Sequence, residues 1–227
     1  MMRKTTLMAL LLCASRCALA GEVYDGYQAF FDRQAGQVFT SPVSSDYLPS
    51  TYDSRGVPQA AWQGRVGNRS VSLVVGDQTL RINGKRYEYS RSVRLPSDGR
   101  GDVDPRSITL YVTRYTKNAG PMLCLESTGT GSGSADRYAQ VYVINQAQSK
   151  FTLLKLPSLF GSCRGLIEDH SELRFPAFSY RRAGQAVDPV GTDVQYYSIV
   201  SGRYVPTSRR LATRFVEPGN VFKFEVE

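Results

Sequence analysis

Apolar positions in this chain recur mainly at a spacing of two, the period of a strand with one buried face. Ser70 to Val75 is an apolar, β-branched run that ends at Gly76-Asp77. Leu80-Arg81-Ile82 then meets Asn83-Gly84, a hairpin signal because both central residues of such a turn must accept positive φ. The predicted return strand places Tyr87, Tyr89, Arg91, Val93 and Leu95 on one face. Arg86, Glu88, Ser90, Ser92 and Arg94 fall on the other.

Further strands are predicted over Ile108 to Tyr115, Met122 to Leu125, Tyr138 to Ile144 and Phe151 to Leu156, several of them apolar on both faces. Leu173 to Tyr180 carries Pro176, which argues for a sheet edge or a break there. Val194 to Val200 turns at Ser201-Gly202 and returns through Arg203-Tyr204-Val205 as a second tight hairpin. Leu211 to Val216 and Val221 to Val226 close the chain around Pro218-Gly219-Asn220.

A helical period occurs only near the start, at Val23, Tyr27, Phe30 and Phe31, and Gly26 weakens it. Residues 40–60, rich in Ser, Pro, Tyr and Asp, read as an irregular lead-in. The predicted fold is therefore mainly β: an antiparallel sandwich, barrel or propeller-like meander of about ten short strands, with a short N-terminal helix. An outer-membrane barrel fits less well, because its strands alternate strictly over about ten residues.

The first twenty residues alter the domain count and the charge. Met1-Met2-Arg3-Lys4 is a positive n-region, Leu7 to Leu12 an apolar core, and Ala18-Leu19-Ala20 a small-x-small site before Gly21. That is the pattern of a secretory signal peptide cleaved between Ala20 and Gly21. Its apolar run is well short of the roughly 20 residues that span a bilayer, and no later stretch is long and apolar enough to do so. The expected organisation is a signal peptide at 1–20, a lead segment at 21–61 and one β-rich domain at 62–227, exported to the periplasm or beyond.

Loss of Arg3, Lys4 and Arg16 takes three from the 28 basic side chains and leaves 25 against 20 acidic ones, a net charge of +5. Arginine dominates this set. The densest stretch, residues 81–100, holds Arg81, Lys85, Arg86, Arg91, Arg94 and Arg100 around Tyr87 and Tyr89. An exported protein does not meet cellular nucleic acid, so these charges are expected on a solvated face that attracts acidic partners.

The chemistry-bearing residues are few. Cys124 and Cys163, the two cysteines left after cleavage, read as one disulfide in an oxidising compartment. Closing that loop of roughly 40 residues is worth about 4 kcal/mol. Gly161-Ser162-Cys163-Arg164-Gly165 has the spacing of a nucleophile elbow but lacks the strand before and the helix after that an elbow needs. His170, the single histidine, lies in Glu168-Asp169-His170-Ser171-Glu172, where carboxylates could orient it as a general base. Asp98, Asp102 and Asp104 place three carboxylates within seven residues, hard-oxygen ligands of the kind that hold calcium, without an EF-hand pattern or its closing glutamate. The Gly/Ser run from Ser127 to Ser134 reads as a loop, since no Lys-Ser or Lys-Thr follows it. No cofactor motif is present.

With catalytic signatures absent, an exported binding protein is expected, one that binds another protein, in the manner of an enzyme inhibitor or an immunity protein against a toxin. Its 14 tyrosines and many arginines are residue types enriched at interfaces. The second reading is an envelope hydrolase acting on cell-wall glycan or peptide, with Glu168, Asp169, His170 or Glu172 as acid or base. Oligomeric state has no signature in the sequence.

Overall fold

The computed structural model describes residues 21–99, 101–113, 120–128, 137–147, 150–185 and 187–227. The predicted signal peptide, Ala20, Arg100 and the glycine-rich residues 129–136 lie outside them. The fold is mainly β, with fifteen strands and one short α-helix among the described residues. Strand β1 (Val23–Asp25) and helix α1 (Tyr27–Asp32) come first. A five-stranded meander follows: β2 (Ser50–Tyr52), β3 (Pro58–Val66), β4 (Arg69–Val75), β5 (Thr79–Ile82) and β6 (Lys85–Glu88). A four-stranded meander comes next, built from β7 (Ile108–Val112), β8 (Met122–Thr128), β9 (Ala139–Ala147) and β10 (Lys150–Leu156).

The third sheet runs β11 (Ile167–Asp169), β12 (Glu172–Arg182), β13 (Pro189–Val200), β14 (Arg203–Phe215) and β15 (Lys223–Val226), and β1 completes it beside β15. All paired strands are antiparallel.

The four-stranded sheet is the middle layer, which explains why its strands are apolar on both faces. Leu110, Leu123, Leu125, Tyr142 and Ile144 point into a core shared with Leu73, Val75, Leu80 and Ile82 of the five-stranded sheet. Their alternate neighbours Tyr111, Met122, Cys124, Val141 and Val143 point the other way, onto Leu166, Leu173 and Phe175. A third cluster gathers Tyr27, Phe30 and Phe31 of α1 against Phe178, Val194, Tyr196 and Phe224. A six-residue helix is far too short to hold itself together in water. Here α1 is held by aromatic packing: Tyr27 stacks on Phe160 at 3.8 Å and meets Phe178 edge-on at 5.0 Å, contacts worth about 0.5–1.5 kcal/mol each beyond burial.

Several sequence expectations change. Asn83-Gly84 does make the tight hairpin, with φ of 50° and 80°, but its return strand stops at Glu88 instead of running to Leu95. Tyr89–Arg91 is a 3-10 turn, whose Ser92 Oγ donates to the Tyr89 carbonyl at 2.7 Å. Val93 then crosses to the middle sheet as an isolated parallel bridge to Leu154. The lead-in at 40–60 contains β2 and the start of β3. Pro176 sits inside the eleven-residue β12; β11 stops opposite Arg174, so at Pro176 the strand has a partner on one side only.

Candidate functional site

Disulfide Cys124–Cys163 joins β8 to the 3-10 turn Cys163–Gly165, with Cα atoms 5.9 Å apart. It ties the middle sheet to the lead-in of the third sheet. Gly161-Ser162-Cys163 is thus a cross-linked turn, not an elbow presenting a nucleophile. Glu126, two residues beyond Cys124, accepts from the Cys163 N–H and from Ser162 Oγ, both at 3.0 Å. Burial pushes its carboxyl above the ordinary value, against the lowering effect of those hydrogen bonds.

The acidic stretch at 168–172 forms the β11–β12 hairpin. His170 and Ser171 are its two turn residues, with φ of 49° and 69°. The structure brings Asp169, His170 and Glu172 together: His170 Nδ1 lies 2.7 Å from Asp169. Arg174 reaches both Asp169 and Glu172, the latter at 3.0 Å, and Ser198 donates to Glu172 at 2.8 Å. The Ser198 hydrogen bond, then Arg174, hold the Glu172 carboxyl below its usual range, which suits a permanent anion and not a proton donor. His170 is 75 % exposed. Glu168 lies on β11, where its N–H donates to Gly36.

Asp98, Asp102 and Asp104 point to three different jobs. Asp104 caps the turn Pro105–Ser107 by accepting from the Arg106 N–H at 3.0 Å and pairing with its guanidinium. Asp98 turns inward to Lys155, and Asp102 lines a cavity. Among the described residues no three His, Cys, Asp or Glu side chains converge as a metal site.

The cavity holding Asp102 has two buried polar side chains, Tyr89 and Lys155, in its wall. It measures about 430 Å³ and opens between the five-stranded sheet and the middle sheet. The turn Gly76–Thr79 and the strand β6 supply one wall, with Asp77, Thr79 and Arg86; the middle sheet supplies Tyr142 and Lys155. A strap, residues 93–99 and 101–104, contributes Arg94, Gly101 and Asp102 to its lining. The Val93 N–H donates to Leu153 at 3.0 Å and its carbonyl accepts from Lys155 N–H at 2.8 Å, while Val103 donates to Asp77 at 3.0 Å. Between these ends the strap is pinned from below. The buried ammonium of Lys155 contacts Asp98 and donates to the Gly99 carbonyl at 2.9 Å. Asp98 also accepts from Ser158 N–H at 3.2 Å and Ser158 Oγ at 2.7 Å.

Tyr89 lines the cavity, its ring 4.5 Å from that of Tyr142. Its hydroxyl is buried and has no hydrogen-bond partner. Burial, then the nearby Tyr142 and Asp77, push its ionisation far above the ordinary range, so it is a neutral donor at any physiological pH. A second cavity of about 220 Å³ continues from the first through the shared Asp77, Thr79 and Arg86, and adds Arg81. Among the described residues, Arg81, Arg86 and Arg94 take part in no ion pair.

The charge of Arg81, Arg86 and Arg94 was visible in the sequence; their convergence on two joined cavities was not. Lys155 had a signal, a charge interrupting the apolar run Phe151–Leu156. Tyr142 had none. The fold and site together define an antiparallel β protein with an arginine-rimmed cavity between two of its three sheets. Comparisons with protein-family models, curated proteins and solved structures return no match.

Proposed function

We propose that this chain is an exported binding protein that captures another protein through an acidic segment, acting as an inhibitor or an immunity protein acts. The observation that carries this reading is that the guanidinium groups of Arg81, Arg86 and Arg94, around two joined cavities, have no ion pair among the described residues. Arginine forks favour carboxylates, and a positive rim raises the rate at which acidic partners arrive. The disulfide supports export, as does the leader pattern at 1–20. No helix among the described residues is long and apolar enough to cross a membrane.

The acidic hairpin lends the hydrolase reading nothing specific: Asp169 and Glu172 are paired with Arg174, and neither they nor Glu168 line the cavities described above. The test is affinity capture from the source organism's envelope fraction, run with the wild type and with an Arg81→Glu/Arg86→Glu variant. One stoichiometric partner held by the first and lost by the second is expected. Capture that survives the double charge reversal would refute the proposed surface.

A further inference from the structure

We propose that the 430 Å³ cavity is an anchor site for a single carboxylate, the side chain of a glutamate or aspartate in the partner's acidic segment. This rests on the binding reading above and adds where the contact is made. Four side chains that carry donors line one space. Tyr89 lines the cavity with a buried hydroxyl that has no partner, although buried hydroxyls are ordinarily hydrogen-bonded. Lys155 lines it too, and its contacts with Asp98 and Gly99 engage two of its three N–H donors. Arg86 has no hydrogen bond or ion pair among the described residues, and Arg94 has only a 3.4 Å bond to the Ser90 carbonyl.

The acidic groups in the lining are Asp77, Glu88 and Asp102. Glu88 pairs with Arg91 at 3.1 Å, and Asp77 accepts from the Gln78 N–H at 2.8 Å. Asp102 is exposed. One carboxylate brings one negative charge to the donors, whereas a phosphate dianion would bring two toward Asp77 and Asp102. The site therefore selects a single negative charge on a flexible side chain.

The probe is a short fluorescein-labelled oligoglutamate peptide, titrated by anisotropy against the mature full-length protein, with oligoglutamine, inorganic phosphate and heparin as comparators. Tyr89→Phe is the informative variant, because it removes only an oxygen that has no partner in the free protein. Expected results are saturable oligoglutamate binding, about tenfold weaker in Tyr89→Phe, the factor that follows from one hydrogen bond to a charged group, with an unchanged or raised Tm. Arg81→Gln, which lies outside this cavity, should weaken binding less. Binding that Tyr89→Phe leaves unchanged, but that Arg81→Glu/Arg86→Glu abolishes, would overturn the anchor and leave the binding surface standing. Equal affinity for phosphate or heparin would overturn the anchor as well. Absence of oligoglutamate binding would overturn both readings. A Tm lowered by Tyr89→Phe would show that the hydroxyl already has a partner, and would overturn the anchor.

Discussion

Replacing Asp98 with alanine strands the Lys155 ammonium, whose side chain is 1 % exposed, with the Gly99 carbonyl as its one remaining described acceptor. Breaking a buried pair from one side costs about 3–5 kcal/mol, because a charge is left in low dielectric without compensation. At this chain length each kcal/mol moves Tm by about 2–4 °C, so Asp98→Ala should lower Tm by about 6–20 °C. The opposite truncation should be milder. Lys155→Met keeps the apolar stem, and Asp98 retains two donors from Ser158; the loss is that of a hydrogen-bonded charge partner, about 1–3 kcal/mol. Removing both charges in Asp98→Ala/Lys155→Met should recover part of the Asp98→Ala loss, since apolar replacement of a buried pair is far less costly than orphaning one member. Urea unfolding of the four proteins measures this cycle. If the double variant loses the sum of the single losses to within about 0.5 kcal/mol, the two groups are energetically independent, and the pinned strap is refuted.

Three further outcomes follow from the same structure. Replacing Cys124 and Cys163 by alanine should cost about 4 kcal/mol in a urea titration, from loop-closure entropy over a sequence separation of 39; a loss below about 1 kcal/mol would contradict this. Glu126 binds its proton more tightly folded than unfolded, so its contribution to stability falls as pH rises above the ordinary value of 4.5. Glu126→Gln removes that penalty, so its stability relative to wild type should climb with pH and then level off; a pH-independent difference would refute the burial argument. Gly191→Ala would put a Cβ 1.8 Å from the Thr213 carbonyl oxygen across the β13–β14 ladder and should cost about 3 kcal/mol. Gly99→Ala, with open space around it, should stay within about 0.5 kcal/mol of wild type.

Features that depend on a few adjacent residues were legible in the sequence. Asn83-Gly84 and Ser201-Gly202 announced their turns, and both carry the positive φ angles expected. The spacing of Tyr27, Phe30 and Phe31 announced α1. The acidic stretch at 168–172 was readable as a surface turn, and His170 is of a type enriched at positive φ. Strand β6 shows a local pattern overridden: alternation continues to Leu95 in the sequence, but Tyr89 leaves the ladder to pack on Tyr142, more than fifty residues away. Residues apolar on both faces marked Ile108–Val112 and Met122–Leu125 as buried strands, yet a middle layer is a relation among three sheets and has no local signature. The neutralisation of the acidic turn was within reach, because Glu172 and Arg174 share a strand face.

The cavity had to escape a sequence reading, for a physical reason that also bears on its use. Its donors come from Arg86, Tyr89 and Arg94 and from Lys155, which meet because Val93 leaves the five-stranded sheet and bridges to Leu154 in the middle one. The crossing that ends β6 early therefore also builds the site. Tyr204 reinforces it from the third sheet, its hydroxyl lying 3.1 Å from the Val93 carbonyl and 3.0 Å from that of Lys155. Burial of Tyr204 raises its ionisation far above the usual range, so this clamp stays neutral and intact across physiological pH. The middle and third sheets both bond Val93 at one end of the strap, and Tyr204→Phe should consequently loosen the strap and weaken oligoglutamate binding without touching the cavity lining. Amide hydrogen exchange at Val93 and Lys155 reads the strap directly: faster exchange in Tyr204→Phe is expected, and unchanged exchange with unchanged binding would show that the third sheet plays no part in holding the site.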